Sequence, residues 1–213
     1  MLPAASSSPV LPSDAVLYFA YGANLSGQII QKRGAHPITW EPARVTSLSL
    51  GFAHRGGYAT LIEHSVTKAS EDPDFRSLNF FGPHGVLYTL STTDFQKIAS
   101  RETGYDITRL DVRTYAGRMV SARAFQSQRL LRLKESLPPR QQYLDLMLHG
   151  AKEHGLCEDY CQWLGAVPSV AQGTPLGPEY FDTPSEVLAK LAAVSLAVAG
   201  GVWAAGHGGG PRQ

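Results

Sequence analysis

Three local features of the sequence could carry chemistry. The first is segment 18–25 (YFAYGANL), in which an aromatic run meets Gly22, Ala23 and Asn24. Where a strand ends in glycine and small residues, its backbone N–H groups can point into a pocket. There they can bind an anion or a carbonyl oxygen that gains negative charge. The side-chain amide of Asn24 adds a donor. Taken alone, this pattern is more often a structural turn than a binding site.

The other two features are single side chains. Glu102 follows a short predicted helix and precedes a strand. A carboxylate in that position is usually solvated, but it can also act as a general acid or base. Tyr143 lies near the start of a helix that Pro138 and Pro139 introduce, where a core aromatic with its hydroxyl at the rim is the simpler interpretation. Neither residue identifies a site by itself.

The elements that must position these residues follow from hydrophobic periodicity. We expect strands at residues 16–21, 45–52, 58–62 and 85–90, and a hairpin formed by residues 108–114 and 119–125. We expect helices after Ser26, after Ser91 with Asp94 in capping-box position, after Pro139, and over residues 158–164. Strands dominate the middle and helices the C-terminal third. The sequence therefore predicts an α+β fold, a mixed barrel or sheet with flanking helices.

Composition excludes several classes of function. The 213 residues carry a formal net charge of +1 and no Lys/Arg-rich run, so nucleic acid is not an expected partner. The seven histidines are scattered, and no HExxH, CxxC, Walker or GxGxxG pattern is present. We therefore expect neither a metal nor another cofactor. Cys157 and Cys161 are too few for a disulfide framework, which fits reduced thiols and a cytoplasmic location.

The two ends of the chain differ from its centre. Residues 1–14 predict a disordered lead, residues 15–190 the folded domain, and residues 191–213 an apolar tail rich in Ala and Gly. Within that tail, residues 191–206 carry no charge, but their sixteen positions fall short of the ~20 that span a bilayer. A final helix and a weakly membrane-associated tail anchor both remain open. Residues 65–84 predict a long loop.

Several separated motifs, in order, resemble one family. Segment 18–25 closely resembles the YFAYGSNL signature of the γ-glutamylcyclotransferases. The resemblance continues through residues 55–60 (RGGYAT), 85–88 (GVLY), 101–102 (RE), 142–143 (QY) and 150–156 (GAKEHGL). It thus runs from about residue 16 to residue 164. Together these motifs are far more specific than any one of them.

The resemblance implies a reaction and a set of site residues. The α-amine of a small γ-glutamyl substrate would attack its own γ-carbonyl, releasing 5-oxoproline and a free amine in glutathione turnover. Glu102 would be the catalytic acid/base. The substrate site would be formed by Tyr18, Phe19, Ala20, Tyr21, Gly22, Ala23, Asn24, Leu25 and Tyr143. Family members often form homodimers, so a homodimer is also expected.

Two departures and two alternatives accompany the resemblance. Ala23 stands where the family usually has Ser, and Thr103 stands where it commonly has Gly. One alternative is a γ-glutamylamine cyclotransferase, which differs in its leaving group. The other is a non-catalytic module that binds a γ-glutamyl or acyl ligand. The presence of Glu102 favours catalysis over the binding module.

Overall fold

The computed structural model describes residues 14–63 and 82–180. Within these ranges the strands are β1 (Val16–Ala20), β2 (Thr39–Arg44), β3 (Leu48–His54), β4 (Tyr58–Glu63), β5 (His84–Leu90), β6 (Tyr105–Thr114) and β7 (Met119–Ser127). The helices are α1 (Gly27–Lys32), α2 (Thr92–Ala99), α3 (Gln141–Glu153) and α4 (Glu158–Ala166), and 3₁₀ turns cover Ala23–Leu25 and Pro178–Tyr180. The predicted lead, most of the predicted loop 65–84 and the tail 191–213 lie outside the described residues.

The chain divides into two compact units, Met1–Thr174 and Pro175–Gln213. The described part of the second unit contains the turn Pro178–Tyr180. Every strand and α-helix named above belongs to the first unit, and so do both cavities discussed below.

Five strands close into a barrel in the order β1-β5-β2-β6-β7. All neighbouring pairs are antiparallel except β7 and β1, which close the barrel in parallel with Tyr18 opposite Arg123. Strands β3 and β4 form a separate antiparallel pair. Strand β1 is almost wholly buried because it lies between two barrel neighbours. This architecture confirms the predicted α+β class with a mixed barrel.

Strand β2 is the element that periodicity did not predict. It contains Pro42, which cannot donate to a strand ladder. Strand β2 pairs with β5 along its whole length, but it pairs with β6 only at Ala43 and Arg44. Pro42 is therefore tolerated because β6 does not pair with β2 at this position, so no N–H is needed there. The carbonyl of Pro42 accepts the N–H of Tyr115, which follows β6, at 3.0 Å.

Helix α2 delivers the chain to Glu102. As predicted, Ser91 caps the helix, since its hydroxyl accepts the N–H of Asp94 at 3.0 Å. Phe95 and Ile98 lie on the buried face. The helix ends at Ala99 and β6 begins at Tyr105. Glu102 is thus held in a short connection between two anchored elements.

Helix α3 lies directly against the turn Ala23–Leu25, and the contact depends on Gly150. A Cβ at this position would lie 2.4 Å from the carbonyl carbon of Leu25 and 2.5 Å from the nitrogen of Ser26. Both atoms are backbone atoms and cannot move aside without displacing the turn. Only glycine lets the helix and the turn approach this closely.

We expect Gly150→Ala to lower the free energy of unfolding by about 1–3 kcal/mol, because the added methyl group overpacks a backbone contact. Gly165→Ala is the matched control, since the nearest atom to its added Cβ would be Leu148 Cδ2 at 3.6 Å, an ordinary contact. Its expected effect is neutral or stabilising, as for alanine in other helix interiors. Urea unfolding of both variants checks this, and equal stability of the two would contradict the contact.

Candidate functional site

A cavity of about 350 Å³ lies beside the turn Ala23–Leu25 and the end of helix α2. Seven residues that the sequence singled out line it: Tyr18, Tyr21, Gly22, Ala23, Asn24, Glu102 and Tyr143. They come from the first strand and its turn, from the connection after α2, and from the first turn of α3. The barrel therefore brings together the three features that were separate along the chain.

Phe19, Ala20 and Leu25 are not among the described residues that line the cavity. All three are almost completely buried in the core. The N–H of Leu25 donates to the carbonyl of Gly22 at 2.9 Å, so this amide is used inside the turn. A role for these residues in substrate binding stays a prediction.

The carboxylate of Glu102 is held by two contacts. Its Oε1 accepts a hydrogen bond from Asn24 Nδ2 at 2.9 Å and pairs with Arg33 Nη1 at 2.5 Å. The Glu102 side chain is only 14% exposed, so these charge-assisted contacts are shielded from water. Asn24 Nδ2 also donates to the hydroxyl of Tyr18 at 2.6 Å. One amide thus joins the first strand, its turn and the carboxylate.

Arg33 is a site residue that sequence reasoning missed. It caps the C-terminus of helix α1, where a cation is common for reasons unrelated to chemistry. Only the folded structure shows that the guanidinium of Arg33 reaches Glu102. The ion pair balances the carboxylate charge and restricts its orientation.

Tyrosine side chains form the opposite wall of the cavity. The hydroxyl of Tyr143 accepts the N–H of Ala59 at 3.1 Å, and the hydroxyl of Tyr105 donates to the carbonyl of Ala59 at 3.0 Å. The ring of Tyr58 packs edge-on against Tyr143, with 5.1 Å between ring centroids. Tyr58 and Tyr105 were not predicted as site residues. Tyr58 lies on β4 and Tyr105 on β6, and only the packing of these two strands places both tyrosines in this wall.

Gly22 has a steric role in this wall. A Cβ at Gly22 would lie 2.9 Å from the hydroxyl oxygen of Tyr143. Glycine therefore allows helix α3 to place its tyrosine directly over the turn. This gives the glycine of the predicted signature a physical reason in addition to its turn geometry.

The electrostatics of the cavity are simple. Burial raises the pKa of Tyr18, Tyr21, Tyr105 and Tyr143 above the usual value of a phenol. For Tyr18 the charge of Glu102 raises the pKa further, while the hydrogen bond from Asn24 lowers it. All four are therefore neutral phenols at physiological pH. Among the described lining residues, Glu102 is the only carboxylate; it pairs with Arg33, and Arg101 also lines the cavity.

Residues 14–63 and 82–180 contain neither a metal-binding cluster nor a membrane-spanning helix. No group of three or more His, Cys, Asp or Glu residues in these ranges could hold a metal ion. No helix within them is both long and apolar enough to cross a membrane. The apolar segment 191–206 lies outside the residues described.

Comparisons with known proteins point to one family. A family model described as the AIG2-like family matches residues 84–164. The γ-glutamylcyclotransferases of Bos taurus and Homo sapiens are each 26% identical to this chain over 159 residues, which cover 72% of this chain and 79% of each relative. A solved γ-glutamyl cyclotransferase structure is 24% identical, with a TM-score of 0.60 over 78% of this chain and 95% of that one.

These findings confirm the resemblance that the motifs indicated. The structural likeness establishes the fold. The matched family region includes Glu102 and Tyr143, whereas segment 18–25 precedes it. Motifs, sequence relatives and fold thus agree: this chain is similar to γ-glutamylcyclotransferases in sequence and has the fold of a solved one.

Proposed function

We propose that this protein is a γ-glutamylcyclotransferase that converts γ-glutamyl amino acids into 5-oxoproline and the free amino acid. The observation that carries the proposal is the position of Glu102. Its shielded carboxylate borders a cavity formed by the turn after β1, and Asn24 and Arg33 hold it there. A cavity of about 350 Å³ is of the size that binds small molecules.

The substrate supplies its own nucleophile. Its α-amine attacks its γ-carbonyl carbon, a five-membered lactam forms, and the amide nitrogen leaves as an amine. The protein must keep the glutamyl chain folded so that the amine faces the carbonyl. Well-oriented intramolecular reactions reach effective molarities of about 10⁵ M or more, so this folding contributes a large part of the acceleration.

Glu102 moves the proton in the proposed reaction. Its carboxylate takes a proton from the attacking amine and returns it to the leaving nitrogen, a contribution of typically ~10²–10⁴ in rate. Asn24 and Arg33 both contact Oε1. We therefore assign Oε2 to the substrate amine, with the two Oε1 contacts keeping the carboxylate in place.

The turn after β1 supports the developing oxyanion. Backbone N–H groups aimed at such an oxygen commonly contribute ~10²-fold or more each. Because the N–H of Leu25 is used within the turn and that of Ala23 interacts with the Tyr143 hydroxyl, we assign this role to the N–H groups of Gly22 and Asn24. The neutral phenols of Tyr21, Tyr105 and Tyr143 surround the glutamyl chain without adding a second negative charge.

The charge of the cavity favours amino acids as leaving groups. Arg101 lines the cavity next to Glu102 in the chain. In a γ-glutamyl amino acid, the carboxylate of the leaving group is separated from the leaving nitrogen by one carbon atom, within reach of a nearby cation. In γ-glutamyl-ε-lysine the whole lysine side chain lies between the two groups. Arg101 therefore favours the γ-glutamylcyclotransferase over the γ-glutamylamine alternative.

Glu102→Gln tests the catalytic role. We expect 5-oxoproline release from γ-glutamyl-alanine to fall by at least ~10²-fold in kcat, because the amide cannot accept the proton. The matched control is Glu135→Gln, an exposed carboxylate of the loop before α3, which should leave the rate unchanged. Retained activity in Glu102→Gln would exclude this role. A wild-type protein that binds the dipeptide but releases no 5-oxoproline would support the binding-module alternative.

Arg101→Ala tests the choice of leaving group. We expect KM for γ-glutamyl-alanine to rise about 10-fold, the effect of losing one partly exposed charged contact of about 1.4 kcal/mol. The same variant should bind γ-glutamyl-methylamide normally, because this substrate has no leaving-group carboxylate. Arg109→Ala, an exposed arginine outside this cavity, is the control. An equal change with both substrates, or a wild-type preference for γ-glutamyl-ε-lysine, would contradict the assignment.

A further inference from the structure

A second cavity of about 380 Å³ shares no lining residue with the candidate active site. It lies where the end of β2, the start of β5, the β6–β7 turn and the start of α4 meet. Its chemically active lining consists of Arg44, His84, Arg113, Tyr115 and Cys157. The proposed γ-glutamyl reaction uses none of these residues, so their arrangement needs a separate explanation.

A thiol, an imidazole and a phenol are held together in this cavity. The Sγ of Cys157 lies 3.5 Å from Nδ1 of His84. The hydroxyl of Tyr115 is hydrogen-bonded to the same ring nitrogen and also accepts the backbone N–H of Cys157 at 3.1 Å. Tyr115 therefore fixes the backbone of Cys157 relative to the imidazole. The imidazole therefore holds the thiol at a fixed place in the cavity.

The imidazole of His84 is suited to that task. Its ring stacks on Tyr160, with 4.8 Å between centroids, and the residue is only 4% exposed. Burial, and then the positive charge of Arg44, lower the pKa of His84 to about 4. The ring is therefore neutral at physiological pH, and because so low a pKa makes it a weak base, its role is to position the thiol and not to remove its proton.

The two cysteines of the chain are in different situations. Cys157 is half-buried and lines the cavity at the start of helix α4. Cys161, one turn later, is buried in the core, and its thiol donates to the carbonyl of Leu156 at 3.7 Å. Burial raises the pKa of Cys161, which disfavours its reactive thiolate form. Only Cys157 is placed to react with a molecule from solution.

The charge on the cavity wall indicates the kind of molecule. Arg44 and Arg113 face each other across the β2–β6 pairing, and both are exposed side chains that line the cavity. Glu158 and Asp159 begin helix α4 nearby, but neither lines the cavity. The lining therefore combines two cations with a reactive thiol and carries no carboxylate among its described residues. It is complementary to a small molecule that bears carboxylates close to sulfur.

We propose that this cavity is a thiol-exchange site, at which Cys157 forms a mixed disulfide with an acidic low-molecular-weight disulfide whose carboxylates bind Arg44 and Arg113. The sulfur of Cys157 attacks one sulfur of the incoming disulfide, whose S–S bond breaks as the new one forms. The thiol of Cys157 loses its proton to water before it attacks, and the departing sulfur takes up a proton from water and leaves as a thiol. Cys157 is oxidised and the departing half is reduced, so the incoming disulfide is the only oxidant needed.

The test compares three disulfides of different charge on the full-length protein. Oxidised glutathione is acidic, bis(2-hydroxyethyl) disulfide is neutral and cystamine is cationic. The time course of adduct formation is followed by intact-protein mass spectrometry. We expect a single adduct, formed fastest with oxidised glutathione. The combined variant Arg44→Ala/Arg113→Ala should lower the ratio of the acidic to the neutral rate by about 10-fold, while Arg109→Ala, also on β6, should leave the ratio unchanged.

Three further variants assign the sulfur and test the imidazole. Cys157→Ser should abolish the adduct and Cys161→Ser should keep it. His84→Gln should slow all three disulfides by a common factor, because it removes the contact that positions Sγ and leaves the charge of the arginines in place. Its fold is checked by far-UV circular dichroism, and the exposed arginine variants test the site independently of it. An adduct that persists in Cys157→Ser, or a rate ratio that the paired arginine variant does not change, would overturn the proposal.

Discussion

The hydrogen bond from the side-chain amide of Asn24 to the carboxylate of Glu102 is the interaction on which the candidate active site depends. It joins residues that are 78 positions apart in the chain. A hydrogen bond of this kind weakens steeply once its distance and angle leave a narrow range. The turn after β1 and the connection after α2 must therefore be positioned to within a fraction of an ångström. Most of the features around the site can be understood as ways of meeting that requirement.

Each side of this hydrogen bond is fixed by a different device. On the Asn24 side, strand β1 is buried between two barrel strands, and helix α3 presses on the following turn at Gly150. On the Glu102 side, the Ser91 cap starts helix α2 at a defined residue, and Arg33 adds a second contact to the carboxylate. The site is thus rigid because it is built from elements whose positions are set by the core.

The sequence was sufficient for the parts of this arrangement that are local. Apolar runs and turn residues predicted most of the strands, and the Ser91–Asp94 spacing predicted the start of α2. The ordered motifs then connected Glu102 and Tyr143 with segment 18–25. Strand β2 was not predicted, because a proline such as Pro42 argues against a strand unless one side of that strand is known to be unpaired. Which side of β2 is unpaired depends on how the barrel closes, and the sequence of the strand does not show it.

The site residues that were missed have the same explanation. Arg33, Tyr58 and Tyr105 reach the cavity from a helix end, a separate strand pair and a barrel strand, so no spacing in the sequence connects them. Conversely, segment 18–25 looked uniform in sequence, yet Phe19, Ala20 and Leu25 turn into the core. Periodicity could not separate the two groups, because strand β1 has neighbours on both sides and is buried along nearly all of its length.

The parallel closure of the barrel also has a consequence for how the protein folds. Strand β1 is synthesised before β7, and the barrel closes only when Tyr18 pairs with Arg123. Contacts between distant parts of a chain form slowly, since the entropy of ordering the intervening loop is lost before the contact is gained. During that delay the apolar strand β1 lacks one of its two neighbours. An incompletely folded chain would therefore expose this strand to aggregation, and it would also lack the paired Asn24 and Glu102.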